Sequence, residues 1–374
     1  MSVDPKAGNQ DLRYLERARE LARRGWGHVH PNPMVGCVLV RDGEVVGEGY
    51  HGVFGGPHAE IVALDQAMSR AEGATAYVSL EPCDHQGKTP PCSVTLVDAG
   101  VSRVVFGSTD PHPEAGGGAK TLRARGVEVI GPVWSEAIGR SDNPAFFYAA
   151  KHRSPFVALK LAMSLDGRIA ASPGERTRIT GLEAEREVHR LRTGFDAILV
   201  GGTTAEVDDP RLTVRLVSPG RLPPRRIVLD SRAALPSGAA LFDEVDSVPL
   251  HVFTGEDAPE TEIERLEAAG AHVHPIPMAS DGAGLDLEQL LAVCWELGIH
   301  SVLCEGGARL AESLLRAHLA SRLYLFVAPT CIGEGGLPAF GAEPGRLGWE
   351  SFEPAGEPRL FGRDTLMVLD RGDA

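Results

Sequence analysis

At 374 residues the chain is longer than a single hydrophobic core usually grows, so two domains are expected. A formal charge of -14 excludes broad nucleic-acid binding, which needs a basic footprint, and the lack of any uncharged apolar run of about 18 residues excludes a membrane-spanning helix. The 6 cysteines are too few for a disulfide scaffold, and an N-terminal segment without an apolar core makes a cytoplasmic enzyme the expectation.

From residue 9 to 24, leucine and alanine recur at helical spacing until Gly25 ends the run. Residues 35–40 and 44–49 read as two strands of a hairpin joined by Arg41-Asp42-Gly43. Pro57 opens a helix over 58–68, as proline does at a helix start. Strands at 75–80, 101–106 and 127–130 alternate with helices at 93–99 and 119–125, and one further helix is expected over 135–150. Single-helix crossovers between short strands predict a largely parallel sheet covered on both faces. A first α/β domain is therefore placed at 1–150, with a junction at Lys151-His152-Arg153-Ser154-Pro155.

A second alternating series fills 151–374. Strands are expected at 156–161, 197–200, 226–229, 251–253, 272–276, 301–304, 323–327 and 365–369, and helices at 183–192, 260–269, 287–297 and 310–316. This is another α/β domain, and alternation alone permits a doubly wound sheet as readily as any other layering.

Chemistry in the first domain is carried by His58-Ala59-Glu60, Pro82-Cys83 and Pro91-Cys92. One imidazole and two thiolates suit a tetrahedral zinc, and three protein ligands leave a fourth position open, whereas a structural site usually recruits a fourth. Zinc makes water acidic enough to act as a nucleophile near neutrality. Glu60, two residues from the histidine, is placed to carry the proton. A histidine-x-glutamate followed by a proline-cysteine pair marks the zinc-dependent base deaminases. The spacing departs from theirs: eight residues separate Cys83 from Cys92, including His85 and Lys88.

His30-Pro31-Asn32-Pro33-Met34-Val35-Gly36, Glu48-Gly49-Tyr50-His51, Pro57-His58-Ala59-Glu60 and the stretch from Glu81 through His85 and Lys88 to Cys92 resemble the deaminase half of the bifunctional riboflavin biosynthesis family RibD. That resemblance implies a cytidine-deaminase-like three-layer α/β/α domain, one zinc ion per chain on His58, Cys83 and Cys92, and catalysis by Glu60. The reaction it implies is deamination of 2,5-diamino-6-(5-phosphoribosylamino)pyrimidin-4(3H)-one. It implies substrate contacts for Asn32, His51, His85, Lys88 and Asp110. The family often has aspartate-proline-asparagine-proline where this chain has Asp110-Pro111-His112-Pro113.

In the second domain two glycine pairs, Gly201-Gly202 and Gly306-Gly307, each follow a strand, and the second precedes a helix. Glycines let a phosphate approach the backbone, and helix N-terminal amides favour an anion, although a Gly-Gly before a helix is also a common tight turn. Leu159-Lys160-Leu161-Ala162-Met163-Ser164-Leu165-Asp166-Gly167-Arg168, the stretch from Val207 to Arg215, Leu229-Asp230-Ser231 and Glu305-Gly306-Gly307 are similar to the reductase half of the same family. The implied domain is dihydrofolate-reductase-like and uses NADPH to reduce the ribosyl group of 5-amino-6-(5-phosphoribosylamino)uracil to a ribitylamino chain. The resemblance implies proton handling by Asp208 and substrate contacts for Arg176, Arg192, Leu212, Arg215 and Glu305, with Arg215 and Arg192 on the ribose 5'-phosphate. Cofactor contacts are implied for Ala162, Arg178, Thr204, Asp208, Ser231 and the turn Gly307, Ala308, Arg309, Leu310, Ala311, Glu312 and Ser313. Arg176-Thr177-Arg178 stands where members of the family have serine-x-tryptophan.

The implied partner is therefore a small phosphorylated pyrimidine, not nucleic acid and not a membrane, and the family implies a homo-oligomer. Three other readings stand beside this one: a deaminase whose second domain only binds, a scaffold with a relic zinc site, and a nucleic-acid deaminase, which charge and cysteine spacing disfavour.

Overall fold

The computed structural model describes residues 6–85, 90–113, 115–282, 284–340 and 351–372. The chain divides into two compact units, Met1–Arg153 and Ser154–Ala374. No helix among the described residues is long and apolar enough to cross a membrane.

In the first unit five strands, β1 (Gly36–Arg41), β2 (Glu44–Tyr50), β3 (Thr75–Leu80), β4 (Arg103–Ser108) and β5 (Glu128–Ile130), form a sheet in the order β2-β1-β3-β4-β5. The sheet is largely parallel with one reversed strand: β1 runs antiparallel to both β2 and β3, while β3, β4 and β5 are parallel. The cause is local. Asp42 and Gly43 both take positive φ, 53° and 81°, the two-residue turn that joins antiparallel neighbours, and the chain then crosses over β1 to lay β3 parallel to β2.

Helices α1 (Asn9–Ala22), α2 (Ala59–Ala67), α3 (Cys92–Asp98) and α4 (Gly118–Ala124) cover the sheet. Successive side chains of a strand point to opposite faces. In β1 Val38 and Val40 join Leu15 and Ala18 of α1, while Cys37 and Leu39 join Ala63, Leu96 and Leu122 of the other three helices. The single helix expected over 135–150 is two, α5 (Glu136–Asp142) and α6 (Pro144–Lys151). Pro144 has no N–H to continue the first and disfavours a helical Asn143, whose side chain instead bonds both backbone groups of Met34.

The second unit runs β6 (Phe156–Ser164), β7 (Arg168–Ala170), α7 (Leu182–Thr193), β8 (Ala197–Gly201), α8 (Gly202–Asp208), β9 (Arg225–Leu229), β10 (Leu250–Gly255) and α9 (Glu260–Ala268). It continues with β11 (His272–Ile276), α10 (Leu287–Glu296), β12 (Ser301–Cys304), α11 (Ala308–Arg316), β13 (Arg322–Ala328), β14 (Leu337–Pro338), β15 (Phe352–Pro354), β16 (Arg359–Phe361) and β17 (Asp364–Arg371). Its main sheet has the order β11-β10-β9-β8-β12-β6-β13-β17-β15, with β16 also on β17. The strands from β11 to β13 are parallel, and β17 reverses direction against β13. Alternation again sorts the core: in β8 Ala197 and Leu199 face α10 and α11, while Ile198 and Val200 face the side holding Ala205, Leu241 and Leu266. The strands β7, β14, β15 and β16 have 2 or 3 residues each, too few to show a period in sequence.

Candidate functional site

In the first unit three elements deliver one ligand atom each. His58 caps α2, Cys83 follows β3, and Cys92 opens α3. The start of α2 lies directly on the sheet because a Cβ at Gly49 would come 2.3 Å from the Ala59 carbonyl oxygen. His58 Nδ1 is 3.3 Å from Cys92 Sγ and 3.5 Å from Cys83 Sγ, and all three atoms lie within 4.8 Å of one another. A tetrahedral zinc with Zn–N near 2.1 Å and Zn–S near 2.3 Å separates nitrogen from sulfur by roughly 3.6 Å. The donor set therefore fits one zinc ion with its fourth position open, and it is the one such cluster among the described residues.

A hydrogen bond from Cys92 brings the Cys83 thiol down against the opposing effect of burial, with His58 helping, and the same bond drives the Cys92 thiol up. The loop carrying Cys83 is tied to both flanking helices. Asp84 accepts from Ser93 Oγ at 2.5 Å and Thr121 Oγ1 at 2.7 Å, and Glu81 accepts from the Ala119 amide at 3.1 Å. These two carboxylates belong to the sequence motif, but only the structure gives them work.

Glu60 is 3 % exposed in the first turn of α2. Burial pushes its carboxyl up to about 7, the Cys83 thiolate adding and His58 opposing. A buried carboxyl poised near neutrality beside a metal-ligand set is suited to proton transfer.

His51, expected at the substrate, is enclosed by protein. The ring is 3 % exposed and both nitrogens are used inside the protein: Nδ1 donates to the Pro57 carbonyl at 3.0 Å, which leaves Nε2 to accept from Asn32 Nδ2 at 3.3 Å. It packs edge-on against His58, ring centres 5.4 Å apart. His51 thus orients Asn32, which is half-buried and keeps its amide oxygen for another donor. His85 is exposed where the cysteine loop begins, and Lys88 lies outside the described residues. Burial pushes Asp110 up to about 6, although its carboxylate accepts the His112 amide at 2.8 Å. His112, which stands for asparagine, accepts the Ala115 amide on Nδ1 and so closes the same loop.

The second unit has a cleft of about 710 Å³ where β8 and β12 end beside β6. Of the residues expected there, Ala162, Arg176, Arg178, Thr204, Asp208, Glu305, Gly307, Ala308, Arg309 and Leu310 line it. The two glycine turns meet, the Gly307 amide donating to Thr204 Oγ1 at 3.1 Å, and a Cβ at Gly201 would project into open space. An open cleft with glycine turns and the start of α11 on its wall fits a phosphate-bearing cofactor.

Other expected residues lie elsewhere. Ala311 is fully buried in the core, and Ser313 borders a separate groove with Asp281 and Arg316. Glu312, Ser231, Arg192, Leu212 and Arg215 do not line the cleft. Arg192, expected on the phosphate, spends three of its donors inside the protein: it is 8 % exposed, grips Glu305 through Nε at 2.6 Å and Nη2 at 3.0 Å, and donates Nη1 to the Thr213 carbonyl. Burial alone would raise the Glu305 carboxyl, but Arg192 and Lys160 outweigh it and hold it at about 2. Arg215 is exposed, bonded to Thr213 Oγ1, and burial together with Arg192 and Arg211 pushes its pKa down, the mark of a site short of negative charge. Arg178 pairs with Glu185 at 2.9 Å on the rim.

Two residues given no role from sequence join this network. Lys160 lines the cleft 3.8 Å from Glu305, and a lone lysine inside the apolar run of β6 was a signal for it. His189 is 2 % exposed and accepts the Arg215 amide; burial, then Arg192 and Arg215, bring it down to about 4.

Comparison with known proteins covers both units. Residues 155–353 match the model of the RibD C-terminal domain, and residues 8–108 match the cytidine and deoxycytidylate deaminase zinc-binding region. The chain is similar to the riboflavin biosynthesis protein RibD of Aquifex aeolicus, 39% identical over 368 residues, covering 96% of this chain and 98% of that one. Among solved structures it resembles RibD of Acinetobacter baumannii with a TM-score of 0.82 at 34% identity, over 97% of this chain and 99% of that chain. A second similar structure is a diaminohydroxyphosphoribosylaminopyrimidine deaminase/5-amino-6-(5-phosphoribosylamino)uracil reductase of Thermotoga maritima, TM-score 0.80 at 33% identity, with the same coverage. The first unit has the cytidine-deaminase-like fold and the second the dihydrofolate-reductase-like fold of those proteins.

Proposed function

The chain belongs to the RibD family of bifunctional riboflavin biosynthesis proteins, and from that premise we propose how its residues divide the two reactions. It is a bifunctional enzyme that deaminates 2,5-diamino-6-(5-phosphoribosylamino)pyrimidin-4(3H)-one and then reduces the ribosyl group of the uracil product with NADPH. The observation that carries the first half is the meeting of His58, Cys83 and Cys92 beside buried Glu60. Zinc on those three ligands supplies a Lewis acid that makes water nucleophilic at neutral pH.

Glu60 takes one proton as water attacks the amine-bearing ring carbon and passes it to the ring nitrogen; it then takes the second from the hydroxyl of the adduct and gives it to the amine, which leaves as ammonia while the C–N bond breaks and the carbonyl forms. Its burial keeps the carboxyl able to exchange a proton near neutrality. Asn32, held by His51, offers its amide oxygen to a substrate N–H, and His85 reaches the substrate from the start of the cysteine loop, with Lys88 as a further contact residue. Asp110, whose carboxylate accepts the His112 amide, is a further substrate contact.

In the second unit NADPH supplies the hydride. Ala162, Thr204 and the Gly307–Leu310 turn bind the cofactor, and Glu305, fixed by Arg192, meets the substrate. Asp208, which burial pushes up while Arg176 and Lys160 oppose, handles the proton. Arg215 receives the ribose phosphate, because it keeps donors free where positive charge is in excess. The enzyme works in the cytoplasm as a homo-oligomer.

The test is incubation of zinc-replete protein with the diaminopyrimidinone substrate, following ammonia and NADPH oxidation together. Ammonia should appear without NADPH, and NADPH oxidation should follow mole for mole once the cofactor is added. Ammonia with no cofactor oxidation would leave the first half and remove the second.

A further inference from the structure

Asp208 is half-buried on the cleft wall, and among the described residues its carboxylate makes no hydrogen bond and no ion pair. Only the through-space pull of Arg176 and Lys160 reaches the side chain, so its position is set by its backbone. Asp208 ends α8, and the next residue, Asp209, leaves the helix at φ 39° and ψ 57°. This left-handed conformation crowds Cβ in most L-residues, and glycine, asparagine and aspartate adopt it most readily.

Asp209 is fastened at its other end. Its carboxylate accepts the Ala240 amide at 2.7 Å, at the start of the turn Ala240–Phe242, whose Leu241 is fully buried in one cluster with Ala205 and Leu212. The segment after that turn is held from the core side by Arg226, which is fully buried and donates to the carbonyls of Asp243 and Val248.

We propose that Asp209 is a positioning residue of the reductase: its left-handed backbone and its bond to Ala240 hold Asp208 where it meets the substrate. This rests on the proton-handling role of Asp208, and the test separates the two.

Full-length, zinc-loaded variants are assayed for ammonia release, for NADPH-dependent reduction, and for NADPH binding by fluorescence titration. Asp209→Ala should lower the reductive kcat by about tenfold to a hundredfold, the cost of a misplaced catalytic group, with the NADPH Kd and ammonia release within about twofold of the parent. Asp209→Asn keeps both the acceptor and the tolerance of left-handed backbone, and should return to within about threefold of the parent. Asp209→Gly keeps only the tolerance and should fall between them. Parent-level reduction in Asp209→Ala, an Asp209→Asn as impaired as the alanine variant, or parallel loss of ammonia release would overturn the proposal. Parent-level reduction in Asp208→Asn would instead remove the role of Asp208 itself.

Discussion

The metal-ligand cluster of the first unit consists of atoms in mutual contact, whereas the cleft of the second is shaped by charges that hold one another in place. At the cluster His58, Cys83 and Cys92 are the chemistry, and each has one geometry in which it can serve. In the cleft Glu305 stands where it does because Arg192 grips it, and Lys160 and His189 complete the balance. A substitution in the first kind of site should remove activity and spare the fold, while one in the second should disturb both.

The largest effect that would test this contrast is expected from Glu60→Gln. Ammonia release should fall about 10³-fold, the usual scale of a lost proton carrier, while zinc content stays near one per chain by atomic emission. Activity near that of the parent would dissolve the contrast on this side. Next, Arg192→Ala leaves Glu305 buried without its partner, and the second unit should lose about 3–5 kcal/mol in urea unfolding while ammonia release persists. A loss below about 1 kcal/mol would mean that the pair is not structural.

The same pair has a pH signature. The Glu305 carboxyl is held down from 4.5 to about 2, so its contribution is fully present above pH 4.5 and disappears as pH falls through about 2. The parent should therefore lose more stability across that window than Glu305→Gln, and identical acid profiles would contradict the assignment. The smallest effect belongs to His51→Gln, which removes the ring that leans on His58. Ammonia release should fall about tenfold with zinc retained, the scale of lost support behind a metal ligand. An unchanged rate would leave His51 a packing residue only.

How much of this the sequence carried follows from how local each feature is. The ligand set was readable because its residue types and their prolines lie in short strings, and the alternation of strands and helices was readable because it is periodic. The helix break at Asn143 was visible as Pro144 but masked by the apolar run around it. What stayed hidden are pairings across long separations: Arg192 and Glu305 are 113 positions apart, and nothing in either stretch shows that they hold one another. His51 carried no sign that both its nitrogens would be satisfied internally. Nor does anything near Leu212 announce a buried leucine at φ 51°.

The contact between Gly49 and Ala59 reaches further than packing. Where main chain rests on main chain there is no rotamer to change and no methylene to shift, so side-chain rearrangement in the surrounding core has little purchase there. His58 and Glu60 flank that contact, so their spacing from the sheet is fixed by backbone on backbone rather than by side-chain packing.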